Sequence, residues 1–124
     1  MAPSAKSLRV PYLVVCPGLQ LDWGKVEGLQ ETLGRNGVCS NYSGKSAEYT
    51  WACIRAFRGG TALFTQPPMP IKCAGAPQKI MYLAACRWMR QRQVANPTIE
   101  FCLAGDALFG VPFFVPPLEQ AVAR

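Results

Sequence analysis

Residues 61–65 read Thr-Ala-Leu-Phe-Thr, and residues 98–103 read Thr-Ile-Glu-Phe-Cys-Leu. Each is a short run with β-branched and aromatic residues, which favours a strand. Between them, residues 77–93 predict one helix, because Pro77 suits the first helical position and apolar residues recur at helical spacing. A strand, a helical crossover and a second strand predict a parallel βαβ unit and therefore an α/β fold.

Other elements are predicted on both sides of the first strand. Residues 10–16 form an apolar run before Pro17 and Gly18, which predicts a short buried strand and a sharp turn. Residues 46–57 predict a helix with Ser46 as its N-cap. Three residues are expected on its apolar face: Tyr49, Cys53 and Phe57. Four residues are expected to be the buried stripe of the helix at 77–93: Ile80, Leu83, Ala84 and Trp88.

The composition excludes several kinds of chemistry. The chain has 124 residues, of which half are hydrophobic, so one globular domain is expected rather than a disordered tail. It contains no His, which excludes Ser-His-Asp and Cys-His catalysis and His-ligated metals within this chain. Its six cysteines never form a CxxC pair, so no metal site is predicted.

The net charge of +6 is concentrated in one stretch. No acidic residue lies between Glu48 and Glu100, whereas seven Lys and Arg residues do. Such a stretch attracts anionic partners, although a solvated helix face gives the same pattern. No nucleic-acid module accompanies the charge, so no nucleic-acid partner is predicted.

The loop between the first strand and the helix contains a candidate nucleophile. Neither GxGxxG nor GxxxxGK occurs in the chain, so no phosphate-binding turn is predicted. Cys73 precedes the helix start, where free amides and the helix dipole favour anions, and Lys72 and Lys79 add positive charge. These features favour the thiolate form and predict a nucleophilic or redox sulfur. The alternative is that Cys73 only packs under the turn.

Residues 12–23 and 64–83 resemble the sulfide:quinone oxidoreductases, which are flavoproteins with two dinucleotide-binding domains. The likeness extends over nearly all of residues 12–120, and the string Lys-Cys-Ala-Gly-Ala-Pro-Gln-Lys at residues 72–79 is highly specific. The resemblance implies a partial Rossmann-like FAD/NAD(P)-binding fold. Residues 1–22 would be the end of an FAD-domain strand and its connection, and residues 23–124 an incomplete second, NAD-like domain.

The resemblance also implies an activity and its residues. Sulfide would be oxidised through the redox sulfur of Cys73 and through FAD to a membrane quinone, with Lys79 as a second catalytic-site residue. Pro17 and Gly18 match the backbone that passes the flavin. The implied partners are therefore sulfide and quinone, and full-length relatives contact the membrane peripherally.

The chain departs from the family pattern in several respects, and two of them concern the FAD and the redox chemistry. It lacks the GxGxxG turn that holds the FAD pyrophosphate, and it lacks the second redox cysteine. We therefore expect a central fragment that retains no FAD and is inactive alone, with Cys39 as a candidate spare sulfur carrier. The alternative is a non-catalytic remnant or protein-interaction module that uses the basic surface of residues 55–92, with open sheet edges covered by oligomerisation. The sequence does not predict the compartment of this chain.

Overall fold

The computed structural model describes residue 7, residues 9–91 and residues 94–123. Two short 3-10 turns lie at Trp23–Lys25 and Pro112–Phe114. The helices and strands follow in chain order: α1 (Leu29–Thr32), α2 (Gly44–Ala56), β1 (Gly59–Gln66), α3 (Ala76–Gln91), β2 (Ala95–Leu103) and α4 (Val115–Val122).

The predicted βαβ unit is confirmed. Strands β1 and β2 are parallel neighbours in a two-stranded sheet, and α3 is the crossover between them. Their register pairs Thr61 with Thr98 and runs without a break to Gln66 opposite Leu103. The chain therefore has the α/β fold expected from its two apolar runs, as a partial Rossmann-like arrangement.

Both strands begin earlier than predicted. Strand β1 begins at Gly59, which was expected in a turn, and β2 begins at Ala95. Gly59 has a φ of 146° and lies opposite Ala95, where the strand register shifts. A Cβ atom at Gly59 would lie 2.7 Å from the Ala95 carbonyl oxygen, so only glycine allows this approach.

Helix α3 packs on the sheet along a narrow face. Ala84 and Trp88 are buried as predicted, and Met81 joins them, but Leu83 is 61% exposed, so its predicted burial is wrong. The described part of the chain places no second layer over the outer side of α3 that would cover Leu83. Residues 92 and 93, at the predicted end of this helix, lie outside the described residues.

The small core is centred on Trp88. Its indole is only 5% exposed, and its ring lies 4.5 Å from that of Phe57 and 6.5 Å from that of Phe64. The indole Nε1–H donates a hydrogen bond of 2.9 Å to the carbonyl oxygen of Ile54, so its polar atom is satisfied inside the core. This one side chain therefore joins α3 to β1 and to the end of α2.

The predicted helix α2 is formed, but its first residue and its buried face differ from the prediction. The helix begins at Gly44 after Ser43, and Ser46 is buried in its first turn instead of capping it. The buried positions are Ser46, Thr50 and Ile54, whereas Tyr49, Cys53 and Phe57 are half-buried beside them. On this inward side the Ser46 hydroxyl donates a hydrogen bond of 2.8 Å to the Ser40 carbonyl oxygen, which joins the helix to the preceding loop.

The buried strand predicted at residues 10–16 is not formed. This segment is exposed, with Tyr12 at 89% and Val14 at 83%, and it contains no strand. In the described residues the sheet consists of β1 and β2 alone, and residues 10–16 pair with neither of its two outer edges. The boundary near residue 22 between two domains stays a prediction.

Among the described residues, no helix has the length and apolar character needed to cross a bilayer.

We expect Trp88→Ala to lower the free energy of unfolding by about 3–5 kcal/mol, because it empties the centre of the core and unpairs the Ile54 carbonyl. Met89→Ala is the matched control on the same helix, since Met89 is 63% exposed and should change stability by only about 0.5 kcal/mol. Urea unfolding followed by circular dichroism measures both. Equal effects of the two substitutions would contradict this description of the core.

Candidate functional site

The candidate site lies where β1 ends and α3 begins. The connecting loop carries Cys73, whose side chain is exposed. The carbonyl oxygen of Cys73 accepts a hydrogen bond of 3.1 Å from the Ala76 amide, which forms a tight turn at the start of α3. Ligands of parallel α/β sheets bind at the carboxyl ends of the strands, and the exposed thiol lies on the loop that leaves this end.

A second segment of the chain holds the Cys73 turn in place. The Tyr42 hydroxyl donates a hydrogen bond of 2.7 Å to the Cys73 carbonyl oxygen, and the Asn41 side-chain amide donates one of 3.3 Å to the Ala76 carbonyl oxygen. Burial raises the pKa of the Tyr42 phenol above its usual 10.0, and the nearby Cys73 thiol adds to the rise. The phenol therefore stays protonated, and able to donate this hydrogen bond, throughout the neutral range.

Sequence reasoning missed Tyr42 as a site residue. It is 31 residues away from Cys73 along the chain, and no motif connects the two. The contact exists because Tyr42 immediately precedes α2, whose far end is attached to Trp88 of α3. Only the packing of α2 against α3 could have identified it.

The loop after β2 contributes the other side of the site. The buried Gln78 side chain donates a hydrogen bond to the Leu108 carbonyl oxygen, and the Phe109 ring lies over Gly75. Helix α4 follows this loop, and the Tyr82 hydroxyl donates a hydrogen bond of 3.2 Å to the Leu118 carbonyl oxygen. The loops after both strands thus meet at the first turn of α3, as the rule for parallel sheets predicts.

The structure brings two of the four predicted site residues to this edge of the sheet. Cys73 lies three residues before Ala76, the first residue of α3, and Lys79 lies in the first turn of the helix with an exposed side chain. Pro17 and Gly18 are exposed in the irregular segment before Trp23. Apart from the two chain neighbours of Gly18, no described residue has a heavy atom within 4 Å of where a Gly18 Cβ would be. These two residues form no cradle that fits a flavin, so their implied role in binding FAD stays a prediction.

The predicted basic surface is partly occupied by an aromatic contact. The Arg87 guanidinium lies 4.5 Å from the centroid of the Trp51 ring, and that of Arg55 lies 5.8 Å from it. Arg87 is half-buried, and its buried Nε atom has no hydrogen-bond partner among the described residues. The Arg87 contact therefore stabilises the packing of α2 on α3 through a cation–π interaction, whereas the Arg55 contact lies within α2.

Comparisons with known proteins define the class of the chain. No protein-family model matches it. It is 40% identical over 119 residues to the mitochondrial sulfide:quinone oxidoreductase of Mus musculus, and this match covers 96% of the chain. The enzymes of the same name from Dictyostelium discoideum and Schizosaccharomyces pombe are 38% and 37% identical over 97% and 87% of the chain.

These matches make the chain a relative of oxidoreductases. It is homologous to the sulfide:quinone oxidoreductases, as the string at residues 72–79 indicated. The matches cover 26%, 27% and 24% of the three relatives, so the chain spans about a quarter of their length. It therefore corresponds to one part of such an enzyme, as expected from the missing GxGxxG turn.

We expect Tyr42→Phe to loosen the Cys73 turn, because it removes the hydrogen bond to the Cys73 carbonyl oxygen. The Ala76 amide should exchange its hydrogen roughly 3- to 10-fold faster, which corresponds to about 1 kcal/mol for one hydrogen bond. Hydrogen exchange followed by NMR measures this rate.

Tyr49→Phe is the matched control, because the Tyr49 hydroxyl accepts a hydrogen bond of 2.9 Å from the Gly37 amide. Its effect should be confined to Gly37. Unchanged exchange at Ala76 in the Tyr42 variant would show that the phenol does not hold the turn.

Proposed function

We propose that the chain supplies the sulfur-reactive part of a sulfide-oxidising enzyme of the sulfide:quinone oxidoreductase type. The observation that carries this proposal is the exposed Cys73 thiol in the turn before α3, within a string at residues 72–79 that resembles the family. Sulfide and quinone are the proposed substrates of the whole enzyme, because the names of the three relatives state them.

In this proposal Cys73 is the nucleophile and redox sulfur. Cys73 lies in the turn before α3, where the positive end of the helix dipole stabilises an approaching anion. Lys79, exposed in the first turn, adds positive charge for approaching sulfide or polysulfide anions. Tyr42 positions the turn through the Cys73 carbonyl oxygen and leaves the sulfur itself free.

The reaction that this chain can perform by itself is sulfur transfer to Cys73. The thiolate attacks the sulfur chain of an inorganic polysulfide, so one S–S bond forms, one breaks, and a shorter polysulfide anion leaves. The product is a persulfide on Cys73. FAD would accept electrons in the whole enzyme, but Pro17 and Gly18 do not enclose a flavin here, so no step of this chain passes through it.

The alternative proposal is a non-catalytic part that binds another polypeptide. The exposed apolar side chains of residues 10–15 support it, since such a segment is normally covered in a complete protein. In that case Cys73 would have no special reactivity, and the exposed segment would be the part in contact with its partner. The reactivity of Cys73 therefore distinguishes the two proposals.

We expect inorganic polysulfide to add sulfur to Cys73 at least about tenfold faster than to Cys102, which is also exposed but lies within β2. Mass spectrometry of proteolytic peptides, after alkylation of the persulfides, measures the two rates. Cys73→Ser should abolish the fast phase, and Cys102→Ser should leave it unchanged. Equal rates at the two cysteines would favour the non-catalytic alternative.

We further expect the chain alone to bind no FAD and to reduce no quinone, because it lacks the GxGxxG turn and an enclosed surface at Gly18. Flavin absorbance after desalting, and quinone reduction with sulfide in the presence of added FAD, measure the two properties. A yellow protein with quinone reductase activity would overturn this expectation while supporting the family function.

A further inference from the structure

A groove follows the outer side of α3, and α2 forms its second wall at one end. It consists of two open cavities, of about 300 Å³ and about 280 Å³, which share Leu83 and Arg87 as lining residues. Together they extend along α3 from Ile80 to Gln91, which is about 16 Å of helix. None of the lining residues belongs to the Cys73 turn, so this outer groove is a separate surface.

The cavity between α2 and α3 is apolar. Besides Leu83, its walls are formed by Trp51, Ile54, Ile80 and Ala84. Two of these side chains remain open to solvent, since Trp51 is 46% exposed and Leu83 is 61% exposed. Exposed large apolar side chains that line a concave surface are typical of interaction sites, and Trp and Arg are enriched among the residues that dominate binding. This end of the groove is therefore suited to receive a large apolar side chain.

The neighbouring cavity is basic, because Arg87 and Arg90 line it. The described residues contain a single ion pair, between Lys25 and Asp22, so neither arginine is paired with a carboxylate there. The sequence from 49 to 99 contains no acidic residue that lies nearby along the chain. Guanidinium groups bind carboxylates through parallel charge-assisted hydrogen bonds. This end of the groove is therefore suited to carboxylates from another molecule.

We propose that the outer groove binds an acidic segment of another polypeptide. One apolar side chain of the segment occupies the cavity between α2 and α3, and a pair of acidic side chains binds Arg87 and Arg90. Ile80 and Arg87 are seven residues apart on α3, which is about 10 Å of helix and equals the length of about three extended residues. The recognised segment therefore has an apolar residue separated by about three positions from two acidic ones.

Charge and shape favour this occupant over a second copy and over a lipid surface. A symmetric contact between two copies would bring the arginines of one groove against those of the other, which is repulsive. An anionic bilayer would match the charge, but a flat surface does not fill a concave cavity. The Trp51 ring is also covered by the Arg87 guanidinium at 4.5 Å, so that face is not free to insert into lipid.

Fluorescence anisotropy with labelled peptides tests the inference on the full chain. The probe is a fluorescein-labelled peptide of Gly and Ser that carries one Phe and, three positions away, a Glu-Asp pair. It is made in two versions, with the Phe before or after the acidic pair. Matched peptides replace the Phe by Ser, or the acidic pair by Gln-Asn. We expect one version of the probe to bind at least about fivefold more tightly than both of its matched peptides, and to weaken as salt is added.

Variants of exposed residues locate the binding. Leu83→Ala and Arg90→Gln should each raise the dissociation constant of the probe at least about threefold, since they remove an apolar wall and a cation of the groove. Met89→Ala and Lys45→Gln are the matched controls, because both residues are exposed but line neither cavity. These two should leave the constant unchanged. Cys73→Ser should also leave it unchanged, which separates this result from the function proposed for Cys73.

The inference is overturned if neither version of the probe binds more tightly than its matched peptides, or if the groove variants bind the probe as well as the controls do. Two further measurements identify the other occupants. Binding to phosphatidylglycerol vesicles, or a dimer in sedimentation equilibrium, that is lost in Leu83→Ala while the peptides do not bind would overturn the inference. The first result would assign the groove to a lipid surface, and the second to another copy of the chain.

Discussion

The structure depends on how Trp88 holds α2 against the βαβ unit. The indole lies between Phe57 and Phe64, and its nitrogen is bonded to the Ile54 carbonyl oxygen near the end of α2. Since a buried N–H without a partner would cost about 1–3 kcal/mol, this bond fixes the position of α2 as well as satisfying the ring. A two-stranded sheet with one helix has little apolar surface to bury, so a single large side chain carries much of the core.

The candidate site follows from that contact. Because α2 is fixed at its end, the residues that precede it are fixed at its beginning, and Tyr42 and Asn41 reach the turn before α3. The Cys73 thiol is thus exposed on a backbone that is held from both sides: by its own helix through Ala76, and by Tyr42. An exposed nucleophile on a rigid turn is suited to react with small anions, because the backbone need not rearrange before the attack.

The thiols of the chain differ in environment, and their expected chemistry differs with it. Cys73 is exposed at a helix start, where sulfur can meet a dissolved anion. Cys39 is half-buried, and burial raises the pKa of its thiol. The resemblance to sulfide:quinone oxidoreductases concerns the first environment, whereas the second is known only from the packing of residues 37–40 on α2.

Much of the fold could be predicted because it depends on local properties. The two apolar runs, the proline at a helix start and the helical spacing between them determined the parallel βαβ unit. The string at residues 72–79 was enough to indicate the kinship, and the role of Cys73 stays a proposal. Burial was predicted less well, since Leu83 is exposed and the inward face of α2 is rotated toward Ser46 and Thr50.

Burial and long-range contact were decided only by the tertiary structure, because they depend on which surfaces meet. Residues 10–16 have the composition of a buried strand, yet they are exposed and unpaired, because composition cannot supply a neighbouring strand. Tyr42 contacts Cys73 across 31 residues of the chain, and no spacing rule relates these two positions. The contact exists because α2 packs on α3, and that packing is a property of the assembled core rather than of any local run of residues.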